Sequence, residues 1–168
     1  MMPAITKTAS GLKVAFVHSD DGPFAQTQDL YIISYDGTTW GEPRRVPAAI
    51  GAVDQLTWST DNWVYFSYWT EKKNGDGEMI PVSKLDRADG SSYGMLGENA
   101  SKPIQAGGKV WWYADGVLMS VTGYANPVEE GPAVAGSDWF LPVENTDGTV
   151  TTALFHSHDQ AGNSVISA

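Results

Sequence analysis

Val14-Ala15-Phe16 returns as Val64-Tyr65-Phe66, again as Val110-Trp111-Trp112, and once more as Ala153-Leu154-Phe155. The third residues, Phe16, Phe66, Trp112 and Phe155, are separated by 50, 46 and 43 positions. A period in the forties is the mark of a repeated four-stranded sheet of the kind that builds propellers. One such sheet cannot cover both of its own faces, so the units must stack on one another.

The segments around each copy carry the same grammar. Leu30-Tyr31-Ile32-Ile33-Ser34-Tyr35 runs into Asp36-Gly37 and then into Trp40 through Val46. Asp-Gly between apolar runs is a hairpin signal, because both residues tolerate positive φ. In the second unit the pieces are Val64–Trp69, a turn near Asn74-Gly75-Asp76-Gly77, Met79–Leu85, and Asp89-Gly90 before Tyr93. The third has Val110–Tyr113, Asp115-Gly116, Val117–Val121 and Asn126–Glu130. The fourth has Trp139–Val143, Asp147-Gly148, Thr151–His156 and Ser164–Ala168. Leading strands are expected near Ala4–Thr8, Asp54–Trp58, Lys102–Gln105 and Trp139–Val143. No stretch repeats apolar residues at helical spacing over three turns. The expectation is therefore an all-β chain: a β-propeller region of about four four-stranded blades at 1-50, 51-100, 101-131 and 132-168, the last without its outer strand. A β-sandwich or stacked hairpins is the competing architecture.

Composition agrees and excludes several functions. The 168 residues include 7 Trp, 7 Tyr and 5 Phe beside 18 Gly and 9 Pro, a strand-and-turn balance. Charged residues make up 18 %, too few for a disordered chain or a long solvent-exposed helix. The net charge of -10 argues against nucleic acid and against an anionic membrane surface as partners. With no cysteine, disulfides and thiol chemistry are out. No apolar run is long enough to span a membrane as a helix. Met1-Met2-Pro3 opens without a basic and apolar leader, so no signal peptide is read there.

Leu30 through Pro43, with its strand, its Asp36-Gly37 turn and its Trp40, resembles the hairpin of sialidase-like bacterial propeller repeats. Lys109 through Leu118 is similar to a blade of the same group. The likeness is clearest over about residues 10–70. It departs from the true Asp-box, in which one residue separates Asp from Gly. The resemblance implies a turn-capping Asp36, a Trp40 packed between blades, and an origin in large secreted surface proteins of Gram-positive bacteria. An extracellular or cell-surface location follows from it. Sialidase chemistry needs three converging Arg, and Arg44, Arg45 and Arg87 are poorly disposed, since neighbours on a strand point to opposite faces.

Candidate chemistry is sparse. His156 and His158, two apart on a strand, share a face and with Asp159 form the sharpest metal-like cluster. Turn carboxylates (Asp20, Asp21, Asp76, Glu78, Asp86, Asp89, Asp147) suit calcium, yet Asp, Asn and Gly are also what tight turns need without an ion. No nucleophile elbow, phosphate loop or carboxylate pair is recognisable. Trp63, Tyr65, Trp69 and Trp111 are the candidate ligand-binding rings, able to stack on sugars, with packing between blades as the alternative role. The expected function is a non-catalytic scaffold or adhesion module, with a glycan-binding module and a glycosidase fragment as alternatives. Three blades and a part fall short of most closed rings, which predicts completion by another copy, a second chain or a further part of the same polypeptide, with a self-contained four-bladed ring as the alternative.

Overall fold

The computed structural model describes residues 3–20, 28–123, 125–132, 137–156 and 165–167. Among them every regular element is a β-strand and every pairing is antiparallel between chain neighbours. The strands are β1 (Ala4–Thr8), β2 (Gly11–His18), β3 (Gln28–Tyr35), β4 (Arg44–Trp58), β5 (Val64–Lys73), β6 (Met79–Ala88) and β7 (Tyr93–Glu98). They continue as β8 (Ala100–Ala106), β9 (Lys109–Ala114), β10 (Val117–Val121), β11 (Val128–Pro132), β12 (Ser137–Glu144), β13 (Val150–His156) and β14 (Val165–Ser167).

Hydrogen bonding divides them into a seven-stranded sheet, β1 to β7, a four-stranded sheet, β8 to β11, and a three-stranded sheet, β12 to β14. The seven-stranded sheet is two four-stranded sheets sharing β4. Its first half pairs with β3 up to Gly51, and its second half pairs with β5 from Ala52 onward. The sequence reading expected two separate strands here, residues 40–46 and 54–58. Gly51 bends the strand instead. Its φ is 151°, and a Cβ there would stand 2.2 Å from the Trp69 carbonyl oxygen, so only glycine lets the two backbones approach this closely.

Alternation on the second strand of each sheet then builds the core. Val64, Phe66 and Tyr68 of β5 are buried against Ala15, Leu30, Ile32 and Val46 of the first sheet. Tyr65 and the adjacent Trp63 point the other way and pack with Val110, Trp112 and Val121 of the third. Trp111, with Tyr113 and Ile104 beside it, meets Phe140 of the fourth. Each middle sheet is therefore buried on both faces by its sequence neighbours, which is why aromatic residues occupy both parities of β5 and β9. The third-residue pattern holds for Phe66 and Trp112, which face the preceding sheet. In the fourth sheet the register differs by one: Leu154 pairs with the buried Phe140, and Phe155 pairs with Trp139. An irregularity between Ser137 and Trp139 accompanies that shift.

The first strands of successive sheets also lie in series. β1 packs beside β4, β4 beside β8, and β8 beside β12; among the described residues no comparable contact joins β12 to β1. Side chains stitch the series together. Trp58 Nε1 donates to the Ala4 carbonyl at 2.9 Å, and Gln55 Nε2 donates to the Pro103 carbonyl at 3.0 Å. The Gly107 N–H donates to Glu144 at 3.0 Å.

Candidate interaction surface

The strands of the β5–β6 hairpin are ten residues each, longer than their neighbours require. β4 supports β5 only as far as Trp69, and β7 supports β6 only from Lys84. Beyond those points the two strands run on as a ribbon, in which Val82 is still buried and residues 71–73 and 79–81 form an exposed two-stranded arm. Its tip is closed by Asn74, whose Oδ1 accepts the N–H of Asp76 at 3.0 Å and of Glu78 at 2.9 Å. Its root is braced by Glu98, which accepts from Lys72 at 2.5 Å and lies 3.6 Å from Lys84. The Lys72 contact holds the Glu98 carboxyl below the usual range.

Among the charged residues at its surface, the arm and its root also expose large apolar side chains. Trp69, Met79 and Ile80 are 47 %, 53 % and 42 % exposed. Register places Trp69 and Met79 on one face and Ile80 on the other. An isolated ribbon gains little from keeping three large apolar residues in water, so this arm has the composition of a contact surface rather than of a solvated turn.

The other candidate rings are differently placed. Trp63, Tyr65 and Trp111 are buried between sheets. The Arg87 guanidinium sits 5.8 Å from the centre of the Trp63 ring and donates to the Gly123 carbonyl at 2.6 Å, a carbonyl that the Tyr65 hydroxyl also reaches at 3.3 Å. Nearby, the Ser59 hydroxyl donates to Asp61 and accepts the Trp63 N–H at 3.1 Å. Trp111 Nε1 donates to the Ala106 carbonyl at 3.1 Å, and Lys109 lies 5.2 Å from its ring. Of the four rings, Trp69 alone presents much of its surface to solvent. Trp40, expected between sheets, is 54 % exposed and leans on Tyr35 with ring centres 5.0 Å apart.

His156 lies on β13, paired with Ser137 and Val165, while His158 and Asp159 lie outside the described residues. Among the described residues no three His, Asp or Glu side chains converge. Several turn carboxylates serve their own backbone. Asp36 Oδ1 accepts the N–H groups of Thr38 and Thr39, both at 2.8 Å, which holds its pKa down. Asp89 accepts from the N–H groups of Ser91 and Ser92 at 2.8 Å, and these bonds outweigh its partial burial and lower its pKa. Asp147 accepts from the Thr149 hydroxyl at 2.6 Å and N–H at 3.0 Å, with the same effect. Asp20 and Asp21 share no such role: Asp20 faces His18 at 3.2 Å, and Asp21 lies outside the described residues.

The three arginines are apart. Arg45 pairs with Asp29 at 2.6 Å, Arg44 lines a groove between the first two sheets with Lys13 and Asp89, and Arg87 is held at Gly123. A second groove, of about 430 Å³, runs along β1, β4 and β8. Thr6, Thr57, Ser59, Thr60 and Gln105 line it with Trp58 and Ile104, a neutral hydroxyl and amide surface without a carboxylate.

One buried ionisable pair escaped the sequence reading, which took Asp86 for a turn residue. Asp86 lies within β6, opposite Phe66, and is 4 % exposed. Its Oδ2 accepts from the Tyr68 hydroxyl at 3.2 Å, while Oδ1 has no hydrogen-bond partner. Burial pushes its pKa up to about 6 and pushes the Tyr68 phenol up as well. The position was recoverable from the pattern: Met79–Leu85 extended by one strand residue puts Asp86 on the inward parity.

Comparison of the chain with known protein families, with curated proteins and with solved structures finds no match.

Proposed function

We propose that the chain is a non-catalytic binding module: part of a β-propeller whose radial sheets act as a scaffold and whose β5–β6 arm makes the contact. The propeller reading draws on the serial packing of β1, β4, β8 and β12 and on middle sheets covered on both faces. The functional reading is carried by one observation: Met79 and Ile80 on the arm, and Trp69 at its root, stay exposed. Extracellular adhesion, as the family resemblance implies, is the setting in which such a scaffold is used. A second reading, glycan binding, is favoured by Trp69 itself, a half-exposed indole beside the polar Glu71 and Ser83 positions of the same face.

The test is an array of glycans and of purified bacterial and host surface proteins, probed with the chain and with Trp69→Ala and Ile80→Asp. The scaffold reading expects a protein ligand lost with Ile80→Asp, and the glycan reading expects a sugar ligand lost with Trp69→Ala. Both variants should melt like the parent. Hydrolysis of chromogenic glycosides, or ligand binding untouched by either substitution, defeats the proposal.

A further inference from the structure

The first sheet has one face packed on the second sheet and one face that no described residue covers. The open face carries Ile5, Val14, Phe16, Tyr31 and Ile33, which share a parity by the β1–β2 and β2–β3 registers. Phe16 and Tyr31 stack there with ring centres 5.7 Å apart, and Ile5 is 62 % exposed. Phe16 stands where Phe66 and Trp112 stand in the next two sheets, and both of those are buried against the sheet before. At Phe16 and Val14 the open face thus repeats positions, Phe66 with Val64 and Trp112 with Val110, that in the second and third sheets are covered by a neighbouring sheet. At the other end the fourth sheet has the converse. Phe140 and Pro142 are buried toward the third sheet, while Leu141 and Val143, of opposite parity, are 41 % and 46 % exposed. Thr151 and Ala153 pair with them in register.

We infer that the open face of the first sheet docks the open face of the fourth sheet of a second copy of this chain, so that two copies join head to tail twice and close a ring. The inference rests on the propeller reading and names the partner and the surface it uses. Every internal contact joins the backward face of one sheet to the forward face of its predecessor. The two uncovered faces are one of each kind, so a second copy satisfies both with the packing already seen three times. The fourth sheet sets the area: three strands about 4.8 Å apart, the last of only 3 residues, make a face of roughly 200 Å². Two interfaces of two faces cover on the order of 800 Å² in projection, the low end for specific protein complexes.

Light scattering on the eluting chain, with Ile5→Asp and Leu141→Asp variants, tests this. Both residues are exposed, so the substitutions spare the internal core, and melting curves check that. The expected result is a parent mass of twice 18.1 kDa and monomers for both variants. Mixing the two variants should restore part of the dimer, because the mixed pair keeps one interface free of substitutions. A monomeric parent overturns the inference, as does a dimer that survives Leu141→Asp, which would mean back-to-back contact. X-ray scattering on such a monomer separates the two failures. A profile fitting four radial sheets leaves the propeller reading standing, and a profile that does not fit removes both.

Discussion

Asp86→Asn should change how stability depends on pH more than it changes the fold. In the parent, the carboxyl is buried beside Tyr68 with Oδ1 unpartnered, and its pKa rises from 3.8 to about 6. A raised carboxyl pKa means the folded state holds its proton more tightly than the unfolded chain. The associated stability is fully present below pH 3.8 and is lost as pH rises through about 6. A shift of about two units corresponds to roughly 3 kcal/mol by pH 7. The asparagine variant has no charge to bury and should lack this loss. Urea unfolding of both proteins at intervals from pH 4 to pH 7.5 measures it. The parent's stability relative to the variant should fall across that range by about 2–3 kcal/mol. Exposed carboxylates such as Asp36 and Asp147 titrate in both proteins and cancel in the difference. A difference that stays flat, or that grows in the parent's favour as pH rises, refutes the reasoning.

Other substitutions separate the core from the surface. Trp112→Ala removes a ring that is 1 % exposed between the second and third sheets and should cost about 3–5 kcal/mol in chemical denaturation. Trp40→Ala, at an exposed ring resting on Tyr35, should cost less than about 1 kcal/mol in the isolated chain. Gly51→Ala drives a Cβ to 2.2 Å from the Trp69 carbonyl oxygen and should lower stability by about 2 kcal/mol or more; Gly75→Ala, with open space around it, should be close to neutral in the same assay.

The parity of β5 and β9 could be read from sequence because aromatic residues fill both sides, and a strand with two apolar faces must lie between two layers. Asp36-Gly37 gave its turn because its geometry is local. What failed was whatever depended on neighbours. Residues 40–46 and 54–58 read as separate strands until Trp69 is known to lie against Gly51. The arm was invisible because residues 71–73 and 79–81 pair normally with each other, and only the ends of β4 and β7 show that they extend past the sheet. Trp63, Tyr65 and Trp111 were indistinguishable from Trp69 as aromatic strand residues; burial separates them, and burial is set by the next sheet. The one-residue shift at Leu154 arises from an irregular pairing that no spacing rule contains.

The most direct measurement is a set of distances between spin labels at Ser10, Thr60 and Thr146, in turns that join the first and second strands of the first, second and fourth sheets. The chain has no cysteine, so labels attach only where one is introduced, and dilution into unlabelled chain removes signals between copies. Sheets following one another around a wide axis predict that Ser10–Thr60 is the shortest separation, Thr60–Thr146 is longer and Ser10–Thr146 is longest. A Ser10–Thr146 separation as short as Ser10–Thr60 would contradict the open arc on which the account depends.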